Sequence, residues 1–453
     1  MEQYDFVVIG AGPAGEAAAN EALGRGQRVA VVERDLFGGA CPFWACMPSK
    51  TLLHAAAVHA VGDTYPWARA VARRDYMINR EPPLDHPDDR GHVHALESAG
   101  AAILRGSARL VGPGRVTVTA GDGTARDLAA THIVLAVGST TKLPPIDGLA
   151  ETDPWTNVQL TSTRELPRSL LILGGGPTGV EMAQVYARYG VPVTIVESNA
   201  RLLARDHPRN SAAVQAGLER DGVAVRTGAR ALHAAAGAGA DGAHRIGLAD
   251  GTSVEGHRIM IAIGRAFPLG DLALEAAGVD PTTLKPDGSL RVADGLWLVG
   301  DPAGPELHTH ISHYQGEMAV RMALGDDVRP DYTAIPRCTY TDPEAAFTGR
   351  TLEQARDAGV DAVEFTQPIA TTAKGYVSET TLGHVTIIVD RAARTLVGAA
   401  IAGPPGSSEA IHEAVLAIKT GTPLAVLADT IHAFPTTARV MGTLFGAAAK
   451  ATA

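Results

Sequence analysis

Two glycine-rich turns, Gly10-Ala11-Gly12-Pro13-Ala14-Gly15 and Gly174-Gly175-Gly176-Pro177-Thr178-Gly179, each follow an apolar strand-like run and precede a helical stretch. With an acidic residue closing the next strand in both cases, they predict an α/β protein built on two Rossmann-like dinucleotide-binding domains. The strand before the first turn, Tyr4 to Ile9, is almost continuously apolar, as a strand covered on both faces should be.

Each turn has a mechanical reading. Gly10 allows the tight turn, Gly12 lets backbone N–H groups approach a pyrophosphate, and Gly15 permits close helix packing, with the helix start facing the phosphates. Arg28 to Val32 is the next strand, and Glu33 at its end is placed to accept from a ribose hydroxyl. The pattern recurs with the strand Leu170 to Leu173, then Gly174, Gly176 and Gly179, then Pro192 to Val196 ending in Glu197. A carboxylate at Glu197 repels a 2′-phosphate and favours NADH. Asn199 and Arg201 nearby keep NADPH open, because an arginine accommodates that phosphate. Two late strands, Ile133 to Ser139 and Ile259 to Arg265, return to the two nucleotide sites at Gly138 and Gly264.

Cys41 and Cys46 follow the first nucleotide signature in Gly38-Gly39-Ala40-Cys41-Pro42-Phe43-Trp44-Ala45-Cys46-Met47-Pro48-Ser49-Lys50. A regular helix would separate them by about 7.5 Å along its axis, beyond the roughly 4.4 to 6.8 Å between Cα atoms that a disulfide tolerates. The segment must therefore bend if the sulfurs pair. Pro42 suits a first helical turn, which sets Cys41 just outside a helix and Cys46 one turn inside it, where the positive helix end favours a thiolate. Redox chemistry is the leading reading, beside two buried thiols or a structural bridge.

With 453 residues, two to four domains are expected. A formal charge of −10 and scattered basic residues argue against nucleic acid. The sequence has no apolar run of membrane-spanning length, and Met1 leads straight into a strand, so no membrane association and a cytoplasmic enzyme are expected. The Ala/Gly-rich stretch at 234–242 reads as a surface hairpin.

At this point the chain resembles the FAD-dependent pyridine nucleotide-disulfide oxidoreductases, the family of dihydrolipoamide dehydrogenase, glutathione reductase and mercuric reductase. The Cys41 to Lys50 segment between two dinucleotide folds carries most of that likeness. The resemblance implies a C-terminal α+β dimerisation domain opening at Tyr340-Thr341-Asp342-Pro343-Glu344, and therefore a homodimer. It implies an FAD domain in two parts, 1–149 and 268–330, a nicotinamide domain at 150–267 and the interface domain at 331–453. Asp301 would bind the ribityl chain and Ala108 would make a backbone contact to the adenine. Hydride from the nicotinamide would enter one face of the flavin with the disulfide on the other. Cys46 would be the flavin-side sulfur, and Cys41 the one exchanging with substrate. Lys50 would approach flavin N5, with Glu181 as its counter-charge.

The sequence also departs from that family. Relatives that exchange thiols usually hold a histidine before a proline near the C-terminus and a glutamate four residues beyond it. Phe434 and Arg439 occupy those places in Ile431-His432-Ala433-Phe434-Pro435-Thr436-Thr437-Ala438-Arg439. Phenylalanine carries no proton, and general acid–base help is worth about 10² to 10⁴-fold. His432, His308, His310 and His313 are the remaining candidates near that chemistry. Pro177 replaces an aromatic or aliphatic residue beside the nicotinamide, which opens that face. Phe43 and Trp44 lie between the cysteines, as a stacking wall for a flat substrate or as packing.

Two exits for electrons follow: reduction of a small disulfide or related thiol substrate through Cys41 and Cys46, or direct reduction of a quinone or dye from the flavin. Mercuric reduction fits less well, since the final residues, Ala447 to Ala453, hold no cysteine pair. Cys338 is expected to pack at the interface strand, and no metal site is expected. A non-catalytic FAD-binding scaffold would not need Cys41, Cys46, Lys50 and Glu181 together.

Overall fold

The computed structural model describes residues 1–62, 65–80, 86–284 and 286–452; Ala453, in the run that ends the chain, lies outside them. The chain divides into two units. The first comprises Met1–Pro48, Ala72–Lys142 and Gly264–Asp331; the second comprises Ser49–Val71, Leu143–Ile263 and Tyr332–Ala453.

In the first unit, the strands β1 (Glu2–Ile9) and β2 (Val29–Glu33) lie in a sheet whose order runs Arg291–Ala293, Leu296–Leu298, Ala125–Leu135, β1, β2, Ala102–Arg105. An antiparallel pair, Ser107–Gly112 and Arg115–Thr119, extends from strand Ala125–Leu135. The register pairs Ile9 with Val32 on one side and with Leu135 on the other, and Leu135 with Leu298. All four strands are parallel, so Gly10, Glu33, Gly138 and Asp301 follow strand ends along one edge. That is where α/β sheets bind ligands. The helix α1 (Pro13–Gly24) crosses from β1 to β2 and packs against helix Thr309–Ala323. Small residues make this approach possible: a Cβ on Gly316 would lie 2.2 Å from the Ala14 carbonyl oxygen.

In the second unit, Ala224–Arg226, Val193–Val196, Leu170–Leu173 and Arg258–Ile261 form a parallel four-stranded sheet. Leu173 pairs with both Val196 and Ile261, so Gly174 and Glu197 repeat the placement of Gly10 and Glu33. The Ala/Gly-rich stretch joins the antiparallel strands Ala231–Ala235 and His244–Leu248 as a hairpin. A five-stranded antiparallel sheet follows, ordered Arg337–Thr339, Glu344–Gly349, Thr395–Gly403, His384–Asp390, Ala362–Pro368. Helices Ile411–Thr420 and Thr437–Ala451 cover its core of Ile387, Ile401, Met441 and Phe445.

The units differ from the expected borders. The crossings fall at 142/143 and 263/264 rather than 149/150 and 267/268, because Thr140–Thr141 and Arg265–Ala266 pair as a short antiparallel ladder within the first unit. Ser49–Val71, expected inside the 1–149 segment, belongs to the second unit, where Leu52, Ala55 and Ala56 join a core with Leu160, Met182 and Tyr186.

Gly316→Ala should lower stability by about 1–3 kcal/mol through overpacking against α1, measured as a fall in the urea unfolding midpoint. An unchanged midpoint would show that this helix contact yields without strain.

Candidate active site

The two nucleotide turns are built alike. A Cβ on Gly10 would lie 2.3 Å from the Ala136 carbonyl oxygen, and one on Gly15 would lie 1.9 Å from that of Gly10. In the second turn, Gly174 and Gly179 meet Ala262 and Gly174 carbonyl oxygens at 2.4 and 2.1 Å in the same way. These glycines cannot be replaced without moving backbone. Gly12 and Gly176, by contrast, face open space, with nothing closer than 3.8 Å to a Cβ on Gly12 and nothing within 4 Å of one on Gly176. Each is the N-cap of its helix, each helix has proline in its first turn, and no side chain caps either start. Open, uncapped N–H groups at a positive helix end suit the pyrophosphates of two dinucleotides.

Glu33 and Glu197 brace these turns. Glu33 accepts from Ala11 N and Asp35 N, both at 2.8 Å, and burial pushes its carboxyl pKa up. Glu197 accepts from Gly175 N, and its other oxygen takes Asn199 N and Asn199 Nδ2, all at 2.6 Å. Arg201 donates to the carbonyls of Leu203 and Ala204 and to Ser211 Oγ, at 2.6 to 2.9 Å. Its guanidinium is committed to this local loop.

Asp301 receives the Ser139 hydroxyl, and Arg265 donates to Ser139 Oγ at 2.8 Å and to Ser139 O at 2.7 Å. Burial lowers the Arg265 pKa, with Asp301 opposing. Gly138, φ +62°, immediately precedes this serine. Gly264, φ +138°, groups with the first unit, where its carbonyl accepts from Lys142 N at 3.1 Å. Ala108 is buried opposite Val118 in the antiparallel pair.

The cysteine segment bends as pairing requires, but in a different way from the expectation. A short helix α2 (Ala40–Trp44) contains Cys41; Ala45 leaves helical geometry at φ −131°, ψ −94°; and α3 (Cys46–Gly62) begins at Cys46. Cys41 is therefore inside a helical turn and Cys46 opens the next helix, since the break falls at Ala45 rather than ahead of Pro42. Gly38 and Gly39, at φ +99° and +68°, set the entry, and a Cβ on Gly39 would come within 2.6 Å of Gly12 Cα.

Both thiols are half-buried and share one hydroxyl: Thr309 Oγ1 lies 3.3 Å from Cys41 Sγ and 3.4 Å from Cys46 Sγ. The Cys46 thiol bonded against it, followed by burial, pushes the Cys41 pKa far above the ordinary thiol range. Phe43 is buried edge-on to His92 at 5.6 Å, so it is packing rather than a substrate wall.

Lys50 Nζ donates to Glu181 Oε2 at 2.8 Å, and Glu181 is buried. The other oxygen, Oε1, accepts from Tyr340 N at 3.0 Å, and the Lys50 ammonium sits 4.9 Å over the Tyr340 ring.

The histidine candidates separate. His308 pairs with Glu306 at 3.2 Å and stacks on His310 at 5.0 Å between ring centroids. His313 lines a different groove of about 310 Å³ with Glu16, Glu21 and Glu317. The His432 ring is buried against Phe445 and bonded to Glu413 Oε1 at 2.8 Å, in keeping with a structural place. Phe434 is 74 % exposed and Arg439 is exposed. Burial raises the Cys338 pKa to about 11, consistent with a packed thiol.

The residues that sequence reasoning missed are Thr309, Ser139, Arg265 and Tyr340. Ser139 and Arg265 close the two late strand runs, and Thr309 lies between His308 and His310.

The family model described as pyridine nucleotide-disulphide oxidoreductase matches residues 4–319, and its dimerisation domain matches residues 335–445. The chain belongs to the pyridine nucleotide-disulphide oxidoreductases. A dihydrolipoyl dehydrogenase of Chlorobaculum tepidum is 32 % identical, covering 96 % of this chain and 94 % of its own. A mercuric reductase of Streptomyces lividans is 31 % identical over 97 % and 94 %. Among solved structures, the Cu(II) complex of RclA, an HOCl-induced flavoprotein disulfide reductase of Escherichia coli, superposes with a TM-score of 0.87 at 27 % identity, over 99 % of this chain and 100 % of that one. LpdA of Mycobacterium tuberculosis gives a TM-score of 0.87 at 25 % identity over the full length of both. The protein is thus a flavoprotein oxidoreductase that uses FAD and NAD(P)H and carries the family's dimerisation domain. Among the described residues, no helix is long and apolar enough to cross a membrane, and no cluster of three metal-ligating side chains occurs.

In the reduced protein, Cys41 should alkylate slowly with iodoacetamide at pH 7–8, and Cys46→Ala should accelerate it by removing the main cause of its raised pKa. Cys41 labelling in the parent protein as fast as a free cysteine peptide at pH 7 would contradict that geometry.

Proposed function

We propose that this enzyme takes electrons from NADH to the Cys41–Cys46 pair and delivers them slowly to a small disulfide. The observation that carries the reading is the shared Thr309 hydroxyl, which holds both sulfurs together beside the glycine turn. Bound FAD would supply two-electron acceptance from the nicotinamide and contact with the cysteine pair.

The chain's own residues have separable duties. The uncapped starts of α1 and helix Pro177–Arg188 receive pyrophosphates, while Glu33 and Glu197 hold the turns and offer their remaining lone pairs to ribose hydroxyls. Asp301, steadied by Ser139 and Arg265, takes the ribityl chain, and Ala108 and Gly138 complete the FAD contacts. NADH is preferred because Glu197 presents negative charge and Arg201 is engaged elsewhere. Lys50 is the flavin-facing cation and Glu181 its counter-charge. Cys46 is the flavin-side sulfur.

Exchange then runs from Cys41. Its sulfur attacks a substrate sulfur, the substrate S–S bond breaks, and the leaving thiolate takes a proton; Cys46 next displaces the second substrate half and restores the disulfide. Two protons must move. Cys41, with its raised pKa, needs a proton acceptor, and Phe434 cannot be one. A second reading, direct exit to a quinone or dye, is favoured by the same observation, since it avoids thiol deprotonation.

Anaerobic stopped-flow with NADH and NADPH in turn, followed by a panel of disulfides, quinones and Cu(II), separates these readings. NADH should give the larger kcat/KM, and lipoamide turnover should lag behind hydride uptake. Phe434→His with Arg439→Glu should raise disulfide turnover by about 10-fold or more while leaving hydride uptake nearly constant. Parent enzyme that turns over a disulfide as fast as it accepts hydride would contradict the proton-limited account.

A further inference from the structure

Glu181 clamps two groups with its two oxygens: the Lys50 ammonium on one, the Tyr340 backbone N–H on the other. Fixing that backbone presents the Tyr340 ring face to the same ammonium, 4.9 Å from its centroid. Lys50 is a point charge on a flexible four-carbon stem, and its side chain is 37 % exposed. The Glu181 carboxylate draws such a stem in one direction. A ring face adds a second direction of attraction, so the ammonium is held between a charge and a quadrupole.

We propose that Tyr340 is a positioning residue for Lys50: its ring confines the ammonium to one orientation, which keeps that charge directed at the flavin. The inference rests on Lys50 being the flavin-facing cation. Its action depends on the aromatic face and not on the phenol, so phenylalanine replaces tyrosine and an aliphatic side chain does not.

The test uses FAD-loaded Tyr340→Phe, Tyr340→Leu and Lys50→Gln proteins. Three quantities are read: FAD dissociation constant, equilibrium of two-electron reduction against a reference dye, and intensity of the long-wavelength band of the two-electron-reduced protein. Tyr340→Phe should match the parent. Tyr340→Leu should shift the dye equilibrium against reduction by about 2- to 10-fold and weaken the band, with FAD affinity unchanged. Should Tyr340→Leu lose FAD, Tyr340→Met, closer in length, takes its place with the same expectation. An unshifted Tyr340→Leu or Tyr340→Met beside a shifted Lys50→Gln overturns the role of Tyr340 alone. A Tyr340→Phe shift as large as that of Tyr340→Leu overturns it too, by assigning the effect to the hydroxyl. If Lys50→Gln itself leaves equilibrium and band unchanged, the placement of Lys50 at the flavin fails, and the role of Tyr340 with it.

Discussion

Everything in the first unit's site depends on the register of its parallel sheet. Ile9, Val32, Leu135 and Leu298 finish in line, and the residues that follow them are a glycine turn, an acid, a second glycine and Asp301. A slip of one residue would turn each strand's faces over and move these groups out of line. The alignment is secured by apolar side chains buried on both faces: Phe6 and Val8 on one, Val7 and Ile9 on the other. The second unit repeats the device with Leu173, Val196 and Ile261. Sequence repeats at the two turns are therefore the visible trace of one packing solution used twice.

The cysteine pair brings a cost of its own. Holding two half-buried thiols around one hydroxyl brings the sulfurs together, yet the neighbouring Cys46 sulfur, followed by burial, pushes the Cys41 pKa up. Thr309 opposes this by donating to Cys41, although Cys46 and burial outweigh it. A site of this kind separates electron arrival, which needs no proton acceptor at Cys41, from thiol exchange, which does. Phe434 is exposed at the C-terminal position, and His432 is bonded to Glu413.

Much of this was legible in the sequence where a residue type has a local reason. Glycines at which an added Cβ would fall 1.9 to 2.4 Å from a carbonyl oxygen leave a fixed spacing, and so do strand-ending acids. The Lys50–Glu181 pair was readable only through family likeness, because 131 positions separate the partners. Thr309, Tyr340 and the Ser139–Arg265 contact were not readable, since each depends on which strand ends or helix starts come together in space. The same limit explains the misplacement of Cys41: Pro42 is compatible with either helical position, and only the break at Ala45 decides. It explains Ser49–Val71 as well, whose allegiance follows from side chains packed with Tyr186 rather than from chain order.

In the proposed function, reducing equivalents rest on a cysteine pair whose flavin-side sulfur is Cys46. Anaerobic titration of the FAD-loaded enzyme with NADH tests it directly, using the parent, Cys41→Ser and Cys46→Ser proteins. The expected result is a long-wavelength thiolate-to-flavin band after one equivalent in the parent; in Cys41→Ser, which has no disulfide to take the electrons, the band is present before NADH is added and one equivalent bleaches it with the flavin; Cys46→Ser shows it in neither state. An undiminished band in Cys46→Ser would contradict it.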